Sequence, residues 1–412
     1  MVEISLSKLE LKNLLTFSAI TFFYFFEFTQ MTYFNVLAPH FLSEGVLTHN
    51  QIGSLSAAYF YGNVVGLLPI GFLFDRMPLR QILLWAIFGS VLSAFMLAIS
   101  HNFPIQWSAR FLCGFFGGTS CFLGGIRIIA SLFSNRFTFF IGIFLSVGML
   151  GGLISQYPVL MADNYVGTQG VMYIMASFSV LVLIFNWFYL HTLEANHVAS
   201  DTSKYSGTIW QMCFEILKNI RNWLDCLLII LLNSPISLIG SLWGIVLLTN
   251  FYHFSAGISA GIVMSLFAGT IIGPPLCGMV ADRYNHPAWI VISGAALSLL
   301  VTALLLTSVH SSVLIIAILF FALGLFTSSQ TLVFTWLTKN MRPELIARNS
   351  AFNSMLFMTS GGIMQQVGAY LLGLPSFLSG TASAANLLLL IVIALTVATL
   401  YASFRKKIFV RS

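Results

Sequence analysis

The sequence predicts an all-α membrane protein of twelve transmembrane helices in two pseudo-symmetric six-helix halves, with both termini in the cytoplasm. Three observations carry this prediction. Of 412 residues, 58 % are hydrophobic and only 7 % are charged, whereas soluble domains run at roughly 25 % charged. So few charges cannot cover a soluble chain of this length, and a soluble enzyme is excluded. The apolar residues gather in twelve runs close to the roughly 20 residues that cross a bilayer. Those runs are apolar all round, unlike barrel strands, and far too hydrophobic for a disordered chain. Finally, the Lys and Arg residues sort to one side of the runs, which fixes the topology.

In chain order the spans read 14–37, 51–74, 81–100, 105–130, 138–162, 170–191, 223–250, 257–281, 288–308, 312–338, 349–373 and 385–404. Polar, Gly or Pro interruptions separate them: APHFLSEGVLTHN, DRMPLR, HNFP, SLFSNRF and DNYVGTQ in the first half, FYHFSA, DRYNHP, VHS, KNMRPELIAR and LPSFLSGTASA in the second. The longest polar stretch, 192–222, divides the chain into an N-terminal half, 1–191, and a C-terminal half, 223–412. With the N-terminus inside, 16 of the 18 Lys and Arg fall in cytoplasmic segments, and the other two, Arg110 and Arg127, lie within the fourth span. The first 13 residues carry acidic side chains and no compact apolar core before a small-residue site, so no cleaved signal is expected. None of the five cysteines falls in a segment placed outside, so no structural disulfide is expected.

The two halves repeat. At an offset of 207 residues, FYGNVVGLLPIGFLFDR (60–76) lies over FAGTIIGPPLCGMVADR (267–283), matching Gly62 with Gly269, Gly66 with Gly273, Gly71 with Gly278, Asp75 with Asp282 and Arg76 with Arg283. Small residues at four-residue spacing serve helix packing by themselves, but the shared Asp-Arg ending at half the chain length indicates duplication.

With these features the chain resembles the major facilitator superfamily of transporters along nearly its whole length. The loop between its second and third spans, GFLFDRMPLR, is similar to the superfamily signature Gly-x-x-x-Asp-Arg-x-Gly-Arg-Arg, with Gly71, Asp75, Arg76 and Arg80 in place and Pro78 and Leu79 departing from it. GMVADRYNHP keeps Gly278, Asp282 and Arg283. The resemblance implies a gating role for these seven residues, with Asp75 bracing the start of the eleventh span near Asn349. QWSARFLCGFFGG in the fourth span is similar to a second superfamily motif, an Arg followed by close-packed glycines. In the fifth span Gly148, Gly151 and Gly152 match a motif of drug/proton antiporters, but Met149 stands where that motif has proline.

Charges at membrane depth are costly and mark function. Glu27 lies mid-way along the first span, and Tyr24, Glu27, Gln30 and Phe34 recur at helical spacing. Three readings are open for Glu27: a proton carrier, a fixed partner for Arg110 or for a cationic substrate, and a protonated acid bonded to a neighbouring helix. Arg110 either faces a cavity or snorkels to headgroups. Arg127 either neutralises an anionic substrate or belongs to the cytoplasmic positive belt. By resemblance, spans one, four, seven and ten line the cavity, which singles out Asn233, Trp243 and Gln330. Asn353 and Gln365 in the eleventh span are unusual amides for lipid contact.

The function expected from these features is secondary active transport of a small organic solute by alternating access, as proton-coupled uptake. The alternatives are proton-coupled efflux of drugs or metabolites and a solute-sensing, transporter-like receptor. No P-loop sequence is present, and no cofactor, metal, nucleic acid or enzymatic activity is expected. The partners expected are solute, protons and lipid, for a monomer in a bacterial inner membrane.

Overall fold

The structure is a computed structural model and describes residues 8–133, 136–190, 218–284, 286–308, 311–333, 343–378 and 382–409. Every regular element among them is helical. In chain order they are α1 (Lys8–Thr32), α2 (Phe34–Ser43), α3 (His49–Arg76), α4 (Leu79–Ile99), α5 (Phe103–Cys113), a π-helical segment (Gly114–Gly118), α6 (Thr119–Leu132), α7 (Phe137–Ile154) and α8 (Tyr157–Tyr189). After the central stretch come α9 (Ile220–Leu232), a second π-helical segment (Ile236–Trp243), α10 (Gly244–Phe251), α11 (Ala256–Tyr284), α12 (Pro287–Thr307), α13 (Val313–Thr327), α14 (Pro343–Leu372) and α15 (Ala385–Phe409).

Among the described residues seven helices are long and apolar enough to cross a membrane, and eight if the pair Asn222–Leu232 and Ile236–Phe251, bent by 46°, counts as one. The 51-residue stretch Phe139–Tyr189 is one of the seven. At 1.5 Å per residue it would run about 75 Å, more than twice a bilayer core. Gly167 breaks it, with φ 72° and ψ 168°. The expected first and seventh spans are each interrupted. The first breaks at Tyr33, so Phe34 belongs to the next helix rather than to the face of Glu27. The seventh breaks at Asn233–Pro235 because proline lacks the N–H that a continuous helix needs.

The chain packs as two units: Met1–Met31, Ala58–Gly152 and Met161–Lys204 form one, and Thr32–Ala57, Leu153–Leu160 and Tyr205–Ser412 form the other. Phenylalanine dominates the first core. Phe17 meets Phe140 edge-on at 5.0 Å, Phe133 stacks on Phe140 at 3.8 Å, and Phe26 meets Phe178 at 5.4 Å. Lipid is as apolar as these rings, so shape fit rather than exclusion from water holds the helices together.

The repeat seen in the sequence has a counterpart in the packing. In the first unit, Gly62 of α3 faces the Phe111 carbonyl while Gly114 faces the Tyr59 carbonyl. In the second, Gly269 of α11 faces the Phe321 carbonyl while Gly324 faces the Leu266 carbonyl. Each pair of helices therefore meets backbone to backbone through two reciprocal glycines. A Cβ at any of the four would strike main chain, which no rotamer change relieves. Gly62→Ala and Gly269→Ala are each expected to destabilise the protein by about 1–3 kcal/mol through overpacking. Gly71→Ala and Gly278→Ala, where nothing lies within 4 Å of the added atom, should leave the unfolding temperature in detergent unchanged or slightly raised. Equal losses at all four positions would refute this packing account.

Candidate functional site

Glu27 sits at the centre of a buried constellation in the first unit. It is 1 % exposed. The Tyr59 hydroxyl of α3 donates to its Oε2 at 3.0 Å, and the Ser90 hydroxyl of α4 donates to its Oε1 at 2.6 Å. The Cys113 sulfur of α5 lies 4.0 Å from Oε2. Each carboxyl oxygen thus has a hydroxyl of its own, which offsets part of the cost of holding an acid at membrane depth.

The sequence GFFGG makes this approach possible. Three glycines in five residues let the fourth span widen into a π turn, a device common at functional sites. The Thr119 hydroxyl bonds to the carbonyls of Asn63 (2.9 Å) and Gly114 (3.4 Å), which helps satisfy the disturbed ladder. Within the turn, Gly117 lies directly against the Glu27 carboxyl, and a Cβ there would overlap Oε1, Cδ and Oε2.

Arg110 is fully buried, one turn before the π segment. It donates from Nη1 to the Gln30 carbonyl at 2.7 Å and lies 5.1 Å from the centre of the Tyr59 ring. Tyr59 therefore links the two charges, its ring face against the cation and its hydroxyl on the acid. Arg110 points into the bundle rather than toward headgroups. Tyr24 lies away from this group: it stacks on Phe144 at 4.2 Å, also meets Phe28, and serves the core. Gln30 takes part through its carbonyl, while its buried Nε2 has no partner among the described residues.

The remaining candidates fall into separate places. Arg127 donates to the Phe74 carbonyl at 2.8 Å and lies 5.2 Å over the Phe74 ring, which ties it to the end of α3. In the second unit, Asn233 donates to the Ser237 hydroxyl at 2.8 Å and accepts from Gln330 Nε2 at 3.1 Å. Trp243, fully buried, donates to the Gln365 carbonyl at 3.0 Å. The Gln365 side-chain amide is itself buried and partnerless among the described residues, as is Asn353 Oδ1. Burying such groups without a partner costs about 1–3 kcal/mol each. The structure thus gathers Glu27, Arg110 and Gln30 in one unit and Asn233 with Gln330 in the other.

Of the signature residues, Gly71 and Gly278 face open space. Arg76 lies 4.0 Å over the Phe72 ring, and Arg283 lies 5.9 Å over that of Tyr284. Arg80 donates to the Trp187 carbonyl at 3.5 Å and lies 5.7 Å over its ring. The side chains of Asp75 and Asp282 lie outside the described residues. Cys113, Cys121, Cys226 and Cys277 are free thiols, and Cys213 lies outside the described residues.

Sequence reasoning missed Ser90, Cys113, Gly117 and the Tyr59 hydroxyl as parts of the Glu27 site. Ser90 and Cys113 are small residues in apolar spans and carry no periodic signal. The glycines of GFFGG were visible, but as packing rather than as the wall of an acid pocket.

Among the described residues seven helices are long and apolar enough to cross a membrane, and the first unit buries an acid, Glu27, and a guanidinium, Arg110. The chain belongs to the Major Facilitator Superfamily, whose family model matches residues 20–365. Solved structures agree with the fold. A mutant of the nucleoside transporter NupG superposes with a TM-score of 0.76 at 14 % identity, covering 94 % of this chain and 99 % of that one. A second structure of NupG gives 0.70 at 12 % identity, covering 94 % and 98 %. A bacterial homologue of the human lysosomal transporter Spinster, in an inward-facing and unoccupied conformation, gives 0.77 at 13 % identity, covering 97 % and 98 %. No curated protein matches the chain.

Proposed function

We propose that this chain is a secondary active transporter that takes up a small organic solute together with protons by alternating access. In this reading it has twelve spans, its halves are 1–191 and 223–412, both termini are cytoplasmic, and it works as a monomer in a bacterial inner membrane. Residues 43–49 are then on the outer side.

The observation that carries the reading is the Glu27 site. Both carboxyl oxygens face hydroxyl groups, and hydroxyls donate or accept as they rotate. Glu27 can therefore gain or lose a proton with a small local rearrangement, while Arg110, held by the Gln30 carbonyl and the Tyr59 ring, stays in place to balance the charged form. The two protonation states pull differently on α1, α3, α4 and the π segment, and that difference lets a proton bias the conformation. Asn233, Ser237, Gln330, Asn353 and Gln365 supply neutral donors and acceptors. This chemistry suits an uncharged or zwitterionic solute with several hydrogen-bonding groups.

A thermal-shift panel of amino acids, nucleosides, sugars and organic acids on the detergent-solubilised protein, followed by counterflow of the hits in proteoliposomes, tests this. One class should raise the unfolding temperature, since ligand at 100 times its Kd adds about 2.7 kcal/mol, and the same class should exchange across the vesicle membrane. Stabilising ligands that never cross would overturn the transport reading.

A further inference from the structure

The second unit contains a polar joint that the proposed chemistry at Glu27 does not use. Asn35 of α2 is fully buried. Its Nδ2 donates to the carbonyls of Gly240 (3.2 Å) and Ile239 (3.4 Å) and to Gln156 Oε1 (2.9 Å), while its Oδ1 accepts from the backbone N–H of Ile245 at 3.2 Å. Gly240 and Ile245 stand five residues apart, the spacing of one π-helical hydrogen bond. The asparagine amide therefore occupies the gap in the ladder between the π segment and α10, bonding to both ends as a peptide group would. The backbone is irregular at this seam, where Trp243 has φ −100° and ψ 3°. Side chains inserted into a helix ladder are a recognised cause of such bends.

Two further features connect this joint to the polar residues already described. Asn35 follows the break at Tyr33, so it is joined through α1 to Glu27 and Gln30. On the other side of the joint, Asn233 lies just before the π segment and bonds to Ser237 within it. A one-residue register change at the seam would turn that start by about 100° relative to α10.

We propose that Asn35 is a positioning residue for transport: its amide fastens α2 to the π segment of the seventh span, and withdrawal of that amide lets the outer end open and resets the orientation of Asn233 and Ser237. The proposal rests on the transport reading for the assignment of residues 43–49 to the outside. Its test reads opening rather than flux, so the two can fail separately.

Ser241→Cys places a reporter thiol in the buried π segment, and right-side-out vesicles are treated with a membrane-impermeant maleimide. In this background Asn35→Ala and Asn35→Asp, which lose the donated bonds, are expected to speed labelling of the reporter about tenfold or more, with native Cys121 in the first core still unreactive. Two results would overturn the proposal. One is labelling within twofold of the parent in both variants when each elutes as a folded, monodisperse protein. The other is labelling of Cys121 at a rate that rises alongside the reporter, which would mean general loosening.

Discussion

Glu27→Gln is expected to give a folded transporter that exchanges its solute across the membrane but no longer concentrates it. The substitution keeps the size and planarity of the side chain. Its amide oxygen can still accept from Ser90 or Tyr59, and its NH2 can donate to the other hydroxyl, so both partners of the acid remain satisfied. The ability to bind and release a proton is lost. With one proton per solute, a gradient of one pH unit supports about tenfold accumulation, and the variant should fall to equality with the outside. Uptake under an inward proton gradient and counterflow without one, measured in the same proteoliposomes, separate the two activities. Continued accumulation in the variant would remove Glu27 from the coupling mechanism.

The second large effect is expected from a residue with no chemistry of its own. In Gly117→Ala the new methyl would overlap the Glu27 carboxyl. A free glutamate would swing aside, but this one is pinned by hydroxyls from α3 and α4. Displacing it leaves a buried acid short of partners, at about 1–3 kcal/mol, and takes it out of line with Tyr59 and Arg110. Accumulation should therefore drop at least as far as in Ser90→Ala, which removes a single bond of about 1 kcal/mol, although the carboxyl itself is intact. A variant as active as the parent would show that the π turn is a packing feature unrelated to Glu27.

How far the sequence spoke depends on what kind of interaction carried each feature. Charge scarcity and the one-sided Lys and Arg are properties of composition and position, and both were readable. Glu27 and Arg110 stood out because no other Asp, Glu, Lys or Arg falls within the first four expected spans apart from Arg127. The matched glycines 62 and 269 were readable as a repeat, whereas their reciprocal partners Gly114 and Gly324 were not, since the offset there is 210 residues rather than 207. The π turns could not be read, because hydropathy does not respond to a change of helical register inside an apolar run. Pro235 sits at the break in the seventh span, which was expected to run unbroken over 223–250. Tyr24 shows the limit of periodicity. Three residues advance a helix by about 300°, so Tyr24 lies some 60° from Glu27, enough to face Phe144 instead of the acid. Asn35 sits near the end of its expected span, and its bonding depends on a contact with a residue more than 200 positions away.

The measurement closest to the central claim is the internal pH of proteoliposomes loaded with a pH-sensitive dye, followed as a transported solute is added outside without an imposed gradient. The account predicts internal acidification with the parent protein and none with Glu27→Gln, at comparable rates of counterflow. Solute entry by the parent with no pH change, or equal acidification by the variant, would contradict it.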